Sequence, residues 1–408
     1  MAEVVEIVEL GAQGDGVTAD GLFVPGALPG ETAQVSVAGH RATLIEVTAP
    51  VLERVTPVCP HFGACGGCSL QHANDDLLAG WKRDLIARAL SARGITDVEI
   101  APTITSPPAS RRRVTFSGRR TKKDTVIGFH AAGSDQLVGV EQCPVARPAI
   151  VASLDLLRDL IGVGASRKGE LRLVVTDATA GLDIAVTGGK PLDGGLYGRL
   201  VAATATSSIA RLTWDGEPVI QRDPPAQTMG CAQVVPPAGG FLQATAEGEA
   251  ALVNAVRRII GDADMVLDLF AGCGTFTLPL AENAEVRAVE GDALALEALD
   301  AGWRGAPDLK LVETERRDLF RRPFLTRELE KIPAAVLDPP RQGARAQCEQ
   351  LADSAVERVA MVSCNPATFA RDVRLLLDGG YQLEWIQPVD QFRWSPHVEL
   401  AASLSRTG

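Results

Sequence analysis

The strongest constraint on the fold is a regular alternation of strands and helices in the C-terminal part of the chain. From residue 264 onward, five short apolar stretches alternate with segments of helical periodicity; they read MVLDLF, EVRAVE, LKLVE, AAVLD and VAMVSC. Strands separated by helices in this way form a mostly parallel sheet that is covered on both faces. We therefore predict an α/β fold in which residues 241–408 form a doubly wound, Rossmann-like domain.

The remainder of the chain is rich in β-strand patterns. Residues 1–55 contain short alternating strands separated by Gly and Pro turns, which is typical of a small β-barrel. Residues 56–240 contain a Cys- and Gly-rich loop and then a second strand-rich region, with helices predicted near 81–94 and 148–162. The predicted organisation is thus an N-terminal barrel, a central β-rich region with the cysteine loop, and the α/β domain.

Charge and hydropathy exclude some classes of protein. No stretch approaches the ~18 apolar residues of a transmembrane helix, and the start, MAEVVEIVEL, lacks the basic and long apolar regions of a signal peptide. We expect a cytoplasmic protein with no membrane partner; no protein partner is evident. The net charge is −11, yet residues 80–123 hold eleven basic and three acidic residues. This segment is either a local phosphate-binding surface or a solvated basic face.

The first motif that carries chemistry is a strand, a glycine loop and a following acid. VLDLFAGCGTFTLPLA places Gly272 and Gly274 directly after a strand, and Glu290 ends the next strand. Glycines let the backbone approach a ligand closely, and an acid at this place accepts hydrogen bonds from ribose hydroxyls. Residue 277 is Thr, where a dinucleotide fingerprint needs Gly. Together with Asp268, the pattern favours S-adenosylmethionine, and the alternative is a tight structural turn.

The second motif places reactive side chains at successive strand ends. Asp338 in LDPPR and Cys364 in SCNP each follow an apolar strand, and ligands of open α/β sheets bind at those ends. Asn365-Pro366 opens a helix after Cys364, and the dipole of a helix N-terminus favours a thiolate. Cys364 is therefore a candidate nucleophile, with a small buried core cysteine as the alternative.

Two further groups of residues are less specific. His397 and Glu399 in WSPHVEL precede a final strand, so that either could act as a base or both could be a surface pair. Three cysteines lie in CPHFGACGGC, and a fourth follows far along the chain; they are Cys59, Cys65, Cys68 and Cys143. Four thiolates can hold an iron–sulfur cluster, whereas the first three with His72 could hold zinc, and the spacing alone does not decide between them.

At this point the motifs resemble a known family. DLFAGCGTF, LDPPRQGA, SCNPATFARD and SPHVEL are similar to motifs of the uracil-5 RNA methyltransferases, and GGFLQAT at 239–245 resembles their Phe-Leu-Gln stretch. The first 55 residues resemble a TRAM barrel, which is an RNA-binding module. CPHFGACGGC with Cys143 resembles the four-cysteine iron–sulfur site of that family. The resemblance covers nearly the whole chain.

The resemblance implies a role for each matching residue. Cys364 would be the nucleophile and Glu399 the proton acceptor. The cofactor contacts to S-adenosylmethionine would come from Gln243, Phe270, Glu290, Asp338 and, for the adenine, Asp318. The four cysteines Cys59, Cys65, Cys68 and Cys143 would hold a 4Fe–4S cluster. The implied reaction is methyl transfer to carbon 5 of a uridine that has left the base stack.

The partner implied by the resemblance is RNA. A TRAM-like barrel together with a cysteine cluster favours large-subunit ribosomal RNA, and transfer RNA is the alternative substrate. The predicted phosphate contacts are Arg111, Arg112, Arg113, Arg119, Arg120, Lys122 and Lys123. Two competing interpretations are an amino-group methyltransferase, in which Cys364 and Glu399 would lack roles, and a non-catalytic RNA-binding or iron–sulfur redox protein.

Overall fold

A computed structural model describes residues 2–122, 124–205 and 207–406. Its N-terminal part is a six-stranded sheet with a small apolar core. The strands are β1 (Ala2–Glu6), β2 (Glu9–Leu10), β3 (Gly16–Val17), β4 (Phe23–Val24), β5 (Thr32–Ala38) and β6 (Arg41–Ala49). Their order is β1-β5-β6-β4-β3-β2, with β1 and β2 at the two edges. The barrel that the sequence pattern indicates for this region stays a prediction.

The segment after the cysteine loop joins the C-terminal sheet, although it lies far from that sheet in sequence. It consists of α1 (Asp75–Ser91), β7 (Glu99–Ile100) and β8 (Ile104–Thr105). Both strands pair in parallel with a strand near the C-terminal end, and Ile86 and Leu90 of α1 are buried in the core of the C-terminal sheet. The sequence pattern predicts a helix and an extended connector here, but it contains no information about this long-range pairing.

The central region is a seven-stranded sheet with three helices on one face and a separate hairpin. Its order is β11-β10-β9-β12-β13-β14-β15, and all its pairs are antiparallel except β13–β14. The elements are β9 (Arg113–Arg120), β10 (Thr125–His130), β11 (Leu137–Gly139), α2 (Pro148–Ala152), α3 (Leu154–Gly164), β12 (Glu170–Ala178), β13 (Gly181–Thr187), α4 (Gly194–Ala203), β14 (Ile209–Trp214), β15 (Glu217–Gln221), β16 (Gln227–Met229) and β17 (Ala232–Val234).

The C-terminal domain is the predicted doubly wound sheet, so the expected fold class is confirmed. Its elements are α5 (Ala246–Ile260), β18 (Met265–Leu269), α6 (Thr277–Leu280), β19 (Glu285–Glu290), α7 (Ala293–Gly305), β20 (Val312–Arg316), a 3-10 turn (Thr326–Glu328), β21 (Ala334–Leu337), α8 (Arg345–Ala352), β22 (Arg358–Ser363), α9 (Pro366–Asp378), β23 (Gln382–Asp390) and β24 (Glu399–Ser405). The strand order is β20-β19-β18-β21-β22-β24-β23-β7.

Two features of this sheet position the functional side chains. The strands β20, β19, β18, β21 and β22 are parallel, and their carboxyl ends therefore meet at one edge. The antiparallel strand β24 begins at the same edge, because Ser363 at the end of β22 pairs with Leu400. Apolar side chains of α1, α8 and α9 cover one face, and those of α5, α6 and α7 cover the other.

No helix in the described ranges combines the length and apolarity that crossing a lipid bilayer requires.

Candidate active site

A cavity of about 620 Å³ lies at the edge where the parallel strands end. Its lining includes seven residues that the sequence motifs single out: Gln243, Phe270, Glu290, Asp338, Cys364, His397 and Glu399. They come from six different segments of the chain. Four of them meet because β18, β19, β21 and β22 all point their carboxyl ends toward the cavity, and the other three come from the segment before α5 and from the start of β24. The structure therefore brings together all the predicted catalytic and cofactor residues except Asp318.

The glycine loop after β18 has a backbone conformation that the sequence only partly anticipates. Gly272 and Gly274 have φ values of +56° and +98°, where L side chains are strained. Phe270 is also left-handed, with φ of +67°, at a cost of about 1–2 kcal/mol. The backbone N–H groups of Phe270 and Ala271 both donate to the carbonyl of Val289, at 3.0 and 3.1 Å. These two bonds hold the strained turn in place beside the cavity.

Glu290 fixes the other side of this loop. Its carboxylate accepts hydrogen bonds from the backbone N–H groups of Gly272 (3.0 Å), Gly291 (2.6 Å) and Asp292 (2.9 Å). The carboxylate thus ties the glycine loop to the end of β19 and remains at the cavity wall. Such a carboxylate can accept hydrogen bonds from the hydroxyls of a ribose.

Aromatic rings form the rim of the cavity. Phe270 and Phe320 contact each other with ring centroids 5.3 Å apart, and Phe241 is 68% exposed at the opening. No sequence motif predicts a role for Phe320. Phe241 could have been found from the sequence only by its place in the FLQ stretch, two residues before Gln243.

Two acids of the sequence analysis lie outside the lining. Asp268 is fully buried and accepts a hydrogen bond from the Thr277 hydroxyl at 2.5 Å, and burial raises its pKa to about 7. It therefore supports the loop from behind. Asp318 is exposed, and its carboxylate accepts from the backbone N–H of Phe320 at 3.0 Å. Asp318 orders the turn that carries Phe320 to the cavity rim.

Three acidic groups converge at the centre of the cavity. Burial raises the pKa of Cys364 to about 11, and the nearby carboxylates of Glu399 and Asp338 add to this rise. Burial also raises the pKa of Glu399 to about 7 and places that of Asp338 well above its usual value. The expectation that the helix N-terminus favours a thiolate at Cys364 is therefore wrong, because burial and the two carboxylates raise the pKa of the thiol.

One cation opposes these acids. Arg341, which follows Asp338-Pro339-Pro340, lowers the pKa values of both Cys364 and Glu399. Its Nη2 lies 2.7 Å from Nδ1 of His397, which must accept this bond because a guanidinium can only donate. Burial and then Arg341 lower the pKa of His397. His397 is thus held neutral. The pKa of Glu399 lies near neutral pH, which suits a general base.

Cys364 also lines a second opening, a cleft of about 710 Å³. Arg341 and His397 share its wall with Cys364, and the opposite wall contains Gln13 and Phe23 of the N-terminal region. The cleft thus runs from the N-terminal region to the predicted nucleophile.

The four predicted cluster ligands line one separate cavity of about 290 Å³; they are Cys59, Cys65, Cys68 and Cys143. Burial raises the pKa of Cys68 to about 11, with a contribution from the other three cysteines. The half-buried Arg111 also lines this cavity, near Cys68 and Cys143. Remote Cys143 is therefore brought to the other three.

The zinc alternative finds less support in this arrangement. His72 does not line the cysteine cavity; its ring is buried against Phe62, and burial lowers its pKa to about 4. Within the described ranges, no three His, Cys, Asp or Glu side chains are arranged to hold a metal ion. Both the iron–sulfur cluster and the zinc site therefore stay predictions from the sequence.

The predicted phosphate contacts separate into buried and exposed residues. Arg112 is buried, forms an ion pair with Glu249 and donates to the Gln243 carbonyl at 3.1 Å, so that its prediction as a surface contact is wrong. Arg119 pairs with Glu170 at 2.6 Å. Arg111 and Arg113 line the cysteine cavity. Arg120 and Lys122 are exposed, and Lys123 lies outside the described residues.

The doubly wound fold and a cavity at the carboxyl ends of its strands are typical of enzymes that bind a nucleotide-like cofactor. Comparison with known proteins specifies the family. A family model described as tRNA (Uracil-5-)-methyltransferase matches residues 307–407. The chain is 44% identical to an uncharacterized RNA methyltransferase of Brucella melitensis, over 98% of this chain and 97% of that protein.

Two further relatives extend the comparison. The chain is 32% identical to the 23S rRNA (uracil(1939)-C(5))-methyltransferase RlmD of Chromohalobacter salexigens, over 99% of this chain and 90% of that protein. The crystal structure of Pyrococcus abyssi tRNA (uracil-54, C5)-methyltransferase in complex with S-adenosyl-L-homocysteine has the same fold, with a TM-score of 0.78, 23% identity and coverage of 98% of this chain and 99% of that chain. The chain belongs to the uracil-5 RNA methyltransferase family.

Proposed function

We propose that this enzyme transfers a methyl group from S-adenosylmethionine to carbon 5 of a uridine in RNA through a covalent bond to Cys364. The observation that carries the proposal is the convergence of Cys364, Asp338 and Glu399 on one cavity beside the glycine loop. A thiol, two carboxylates of raised pKa and a cofactor loop are the groups that nucleophilic catalysis at a pyrimidine ring needs.

The methyl donor fits the part of the cavity next to the glycine loop. We assign its contacts to Gln243, Phe270, Glu290 and Asp338, which line that part. Glu290 would exchange some of its backbone hydrogen bonds for ribose hydroxyls, and the left-handed Gly272 leaves room for the ligand. Asp318 is assigned to the adenine end, where it orders the turn that carries Phe320.

The chain's own residues then divide the reaction between them. The donor supplies an electrophilic methyl group. Sγ of Cys364 bonds to carbon 6 of uracil, the thiol proton passes to Asp338, and the ring becomes an enolate. Carbon 5 bonds to the methyl group as S-adenosylhomocysteine leaves. Glu399 removes the carbon-5 proton, the carbon 5–carbon 6 double bond re-forms, and the thiolate of Cys364 departs.

The protonation states in the structure support this order. With a pKa of about 11, Cys364 is mostly a thiol at neutral pH and needs a base to accept its proton. The carboxylate form of Asp338 can accept it, and the raised pKa of Asp338 makes that carboxylate a stronger base. Glu399, near a pKa of 7, has a substantial carboxylate fraction at neutral pH and can serve as the later base.

The RNA substrate is proposed to be large-subunit ribosomal RNA. The relative RlmD is named for such a substrate, whereas the fold neighbour from Pyrococcus abyssi is named for transfer RNA, which we keep as the second candidate. The cleft between the N-terminal region and Cys364 offers a path for the RNA strand, and exposed Arg120 and Lys122 offer phosphate contacts. A cytoplasmic location stays a prediction from the sequence.

We also propose that Cys59, Cys65, Cys68 and Cys143 hold a 4Fe–4S cluster. Four thiols around one cavity match the ligand set of such a cluster, and Arg111 supplies positive charge beside an anionic group. Bound iron would convert the thiols to thiolates and would remove the cost of their burial. Zinc is the second candidate, but His72, the fourth ligand that a zinc site would need, does not line this cavity.

The experiment that tests the proposed function is transfer of a labelled methyl group. The enzyme is incubated with methyl-labelled S-adenosylmethionine and with either unmodified large-subunit ribosomal RNA fragments or transfer RNA, at equal salt because binding depends on salt. Nucleoside mass spectrometry should find 5-methyluridine in the ribosomal fragments. Methylation of transfer RNA alone would contradict the substrate class, and methylation of a base amino group would contradict the chemistry.

A further inference from the structure

Gln391 is a buried polar residue that directly follows strand β23 and lies between proposed cofactor and catalytic groups. It is only 1% exposed. Its neighbour Asp390 is anchored by a buried ion pair with Lys82 of helix α1, with Nζ and Oδ1 2.5 Å apart. Lys82 also donates to the carbonyl of Phe392 at 3.3 Å. The backbone on both sides of Gln391 is therefore held, and its side chain has little freedom.

The hydrogen bonds of Gln391 determine which way its amide points. Its Oε1 accepts from the backbone N–H of Ala244 at 2.7 Å and from that of Thr245 at 3.4 Å. A backbone N–H can only donate, so the oxygen must lie on this side and Nε2 must lie on the other. Nε2 then donates to Oε1 of Gln243 at 2.5 Å. Val389, two residues before Gln391, pairs with Glu399 across β23 and β24, which places the Glu399 carboxyl beside the end of the strand that carries Gln391. The Gln391 amide also lowers the pKa of Glu399.

This orientation in turn determines the orientation of Gln243. Because Oε1 of Gln243 accepts from Gln391, its Nε2 must face the opposite direction, where Oδ2 of Asp338 lies 3.5 Å away. The N–H donors of Gln243 are thereby presented to the cavity and to Asp338. The Gln391 amide thus contacts Gln243 on the cofactor side of the cavity and lies beside Glu399 on the base side.

We propose that Gln391 is a positioning residue that fixes the amide of Gln243 for the methyl donor and holds the carboxylate of Glu399 ready to remove the carbon-5 proton. The proposal rests on the proposed roles of Gln243 and Glu399. Gln391 itself does not line the cavity, so it acts through these two side chains. No motif in the sequence singles it out.

The effect on Glu399 depends on all the charged groups around that carboxylate. Cys364 and Asp338 face it with potential negative charge, Arg341 faces it with positive charge, and His397 is two residues away in the same segment. The Gln391 amide lowers the pKa of Glu399 by stabilising the carboxylate. Removal of this amide should raise the pH at which Glu399 becomes an effective base.

The test compares two variants with a matched control. Gln391→Met keeps the length of the side chain but removes its hydrogen bonds, and Gln391→Glu keeps an acceptor for Ala244 while it replaces the donor with a charge. The control is Gln347→Met, since Gln347 is equally buried in the same domain but bonds only to the main chain of Phe324. Binding of S-adenosylhomocysteine is measured by calorimetry, and decay of the covalent RNA adduct is measured as a function of pH.

We expect about tenfold weaker binding for Gln391→Met, the loss of roughly one hydrogen bond. We also expect the pH midpoint of adduct decay to rise, and to rise further in Gln391→Glu because of the like charge. A purely structural role would lower the rates without moving the midpoint. Wild-type binding together with a wild-type midpoint in either folded variant would overturn the proposal.

Failure of the underlying function is recognisable separately. Glu399→Gln must trap the adduct if Glu399 is the base. If it does not, the proposed function is wrong. If it does and the Gln391 variants behave as the wild type, only the positioning role is wrong. Should Gln391→Met fail to fold, Gln391→Glu still decides the outcome, because it retains the bond from Ala244.

Discussion

The active-site cavity and the cysteine cavity both contain thiols of raised pKa, but their neighbours differ. Cys364 is a single thiol between two carboxylates, at the edge of a rigid sheet. In the other cavity, four half-buried thiols lie together next to the positive charge of Arg111. The two sets of neighbours suit different chemistry. We propose that the first thiol adds to a substrate and leaves again, and that the other four together bind an iron–sulfur cluster.

The largest predicted effects come from removing one cysteine from each cavity and measuring methyl transfer and iron content in both variants. Cys364→Ala should abolish methylation but leave the iron content unchanged, because it lies outside the cysteine cavity. Cys143→Ser should lose the iron, which we expect at about four atoms per chain in protein purified without oxygen. Iron analysis and a methyl-transfer assay on both variants check this pair.

A third variant controls the comparison. His72→Ala should keep the iron, since His72 does not line the cysteine cavity. Colourless protein with one zinc per chain, lost on substitution of His72, would show that the second cavity is a zinc site.

The next effect concerns the carboxylate beside Cys364. Glu399→Gln cannot remove the carbon-5 proton, so turnover should fall by about 10²–10⁴-fold, while a methylated covalent complex accumulates. Gel shift under denaturing conditions and mass spectrometry measure the complex. If Glu399→Gln instead blocks formation of the bond to RNA, Glu399 acts earlier than we propose.

A smaller effect is expected on cofactor binding. Glu290→Ala removes the carboxylate that fixes the glycine loop and that would bind the ribose, so the Kd for S-adenosylmethionine should rise about 10–100-fold. Glu297→Ala on the exposed face of α7 is the matched control and should bind as the wild type. Equal affinities of the two variants would remove Glu290 from the cofactor site.

The last effect is on stability. Burial raises the pKa of Glu399 from its usual value near 4.5 to about 7, so folding favours the protonated form. The resulting stabilisation is complete below pH 4.5 and is lost as the pH rises through 7. The free energy of unfolding of Glu399→Gln, relative to that of the wild type, should thus rise by up to about 3 kcal/mol between pH 5 and pH 9.

A second carboxylate, that of Glu384, should change stability with pH in the opposite direction. The hydroxyls of Ser405 and Ser403 lower the pKa of Glu384, so its carboxylate stabilises the fold above its usual pKa. Glu384→Gln should therefore lose stability relative to the wild type as the pH rises from 3 to 7. Urea unfolding at several pH values measures both variants, and parallel pH profiles would contradict the assignment.

Much of the active site was predictable from the sequence because parallel strands end at one edge. That rule alone places Glu290, Asp338 and Cys364 together. The pKa of Cys364 was not predictable, since it depends on carboxylates that distant segments bring beside it. The same limit explains Arg112, which belongs to a basic run but is buried against Glu249.

Long-range pairing set a second limit. Nothing in the local pattern shows that β8 pairs with β23, or that Gln391 faces Gln243 across 148 residues of sequence. Such contacts depend on which faces are buried together in the folded chain. The cysteine cavity shows the opposite case, because its unusual composition already indicates a shared ligand site.

The central claim is that Cys364 bonds to the target uridine, and an RNA that carries 5-fluorouridine at the target tests it most directly. Fluorine at carbon 5 cannot be removed as a proton, so the reaction should stop after methyl transfer with the RNA still attached. With S-adenosylmethionine present, peptide mass spectrometry should find the methylated fluorouridine on the peptide that contains Cys364. An adduct that forms equally in Cys364→Ala, or methyl transfer by that variant, would contradict the account.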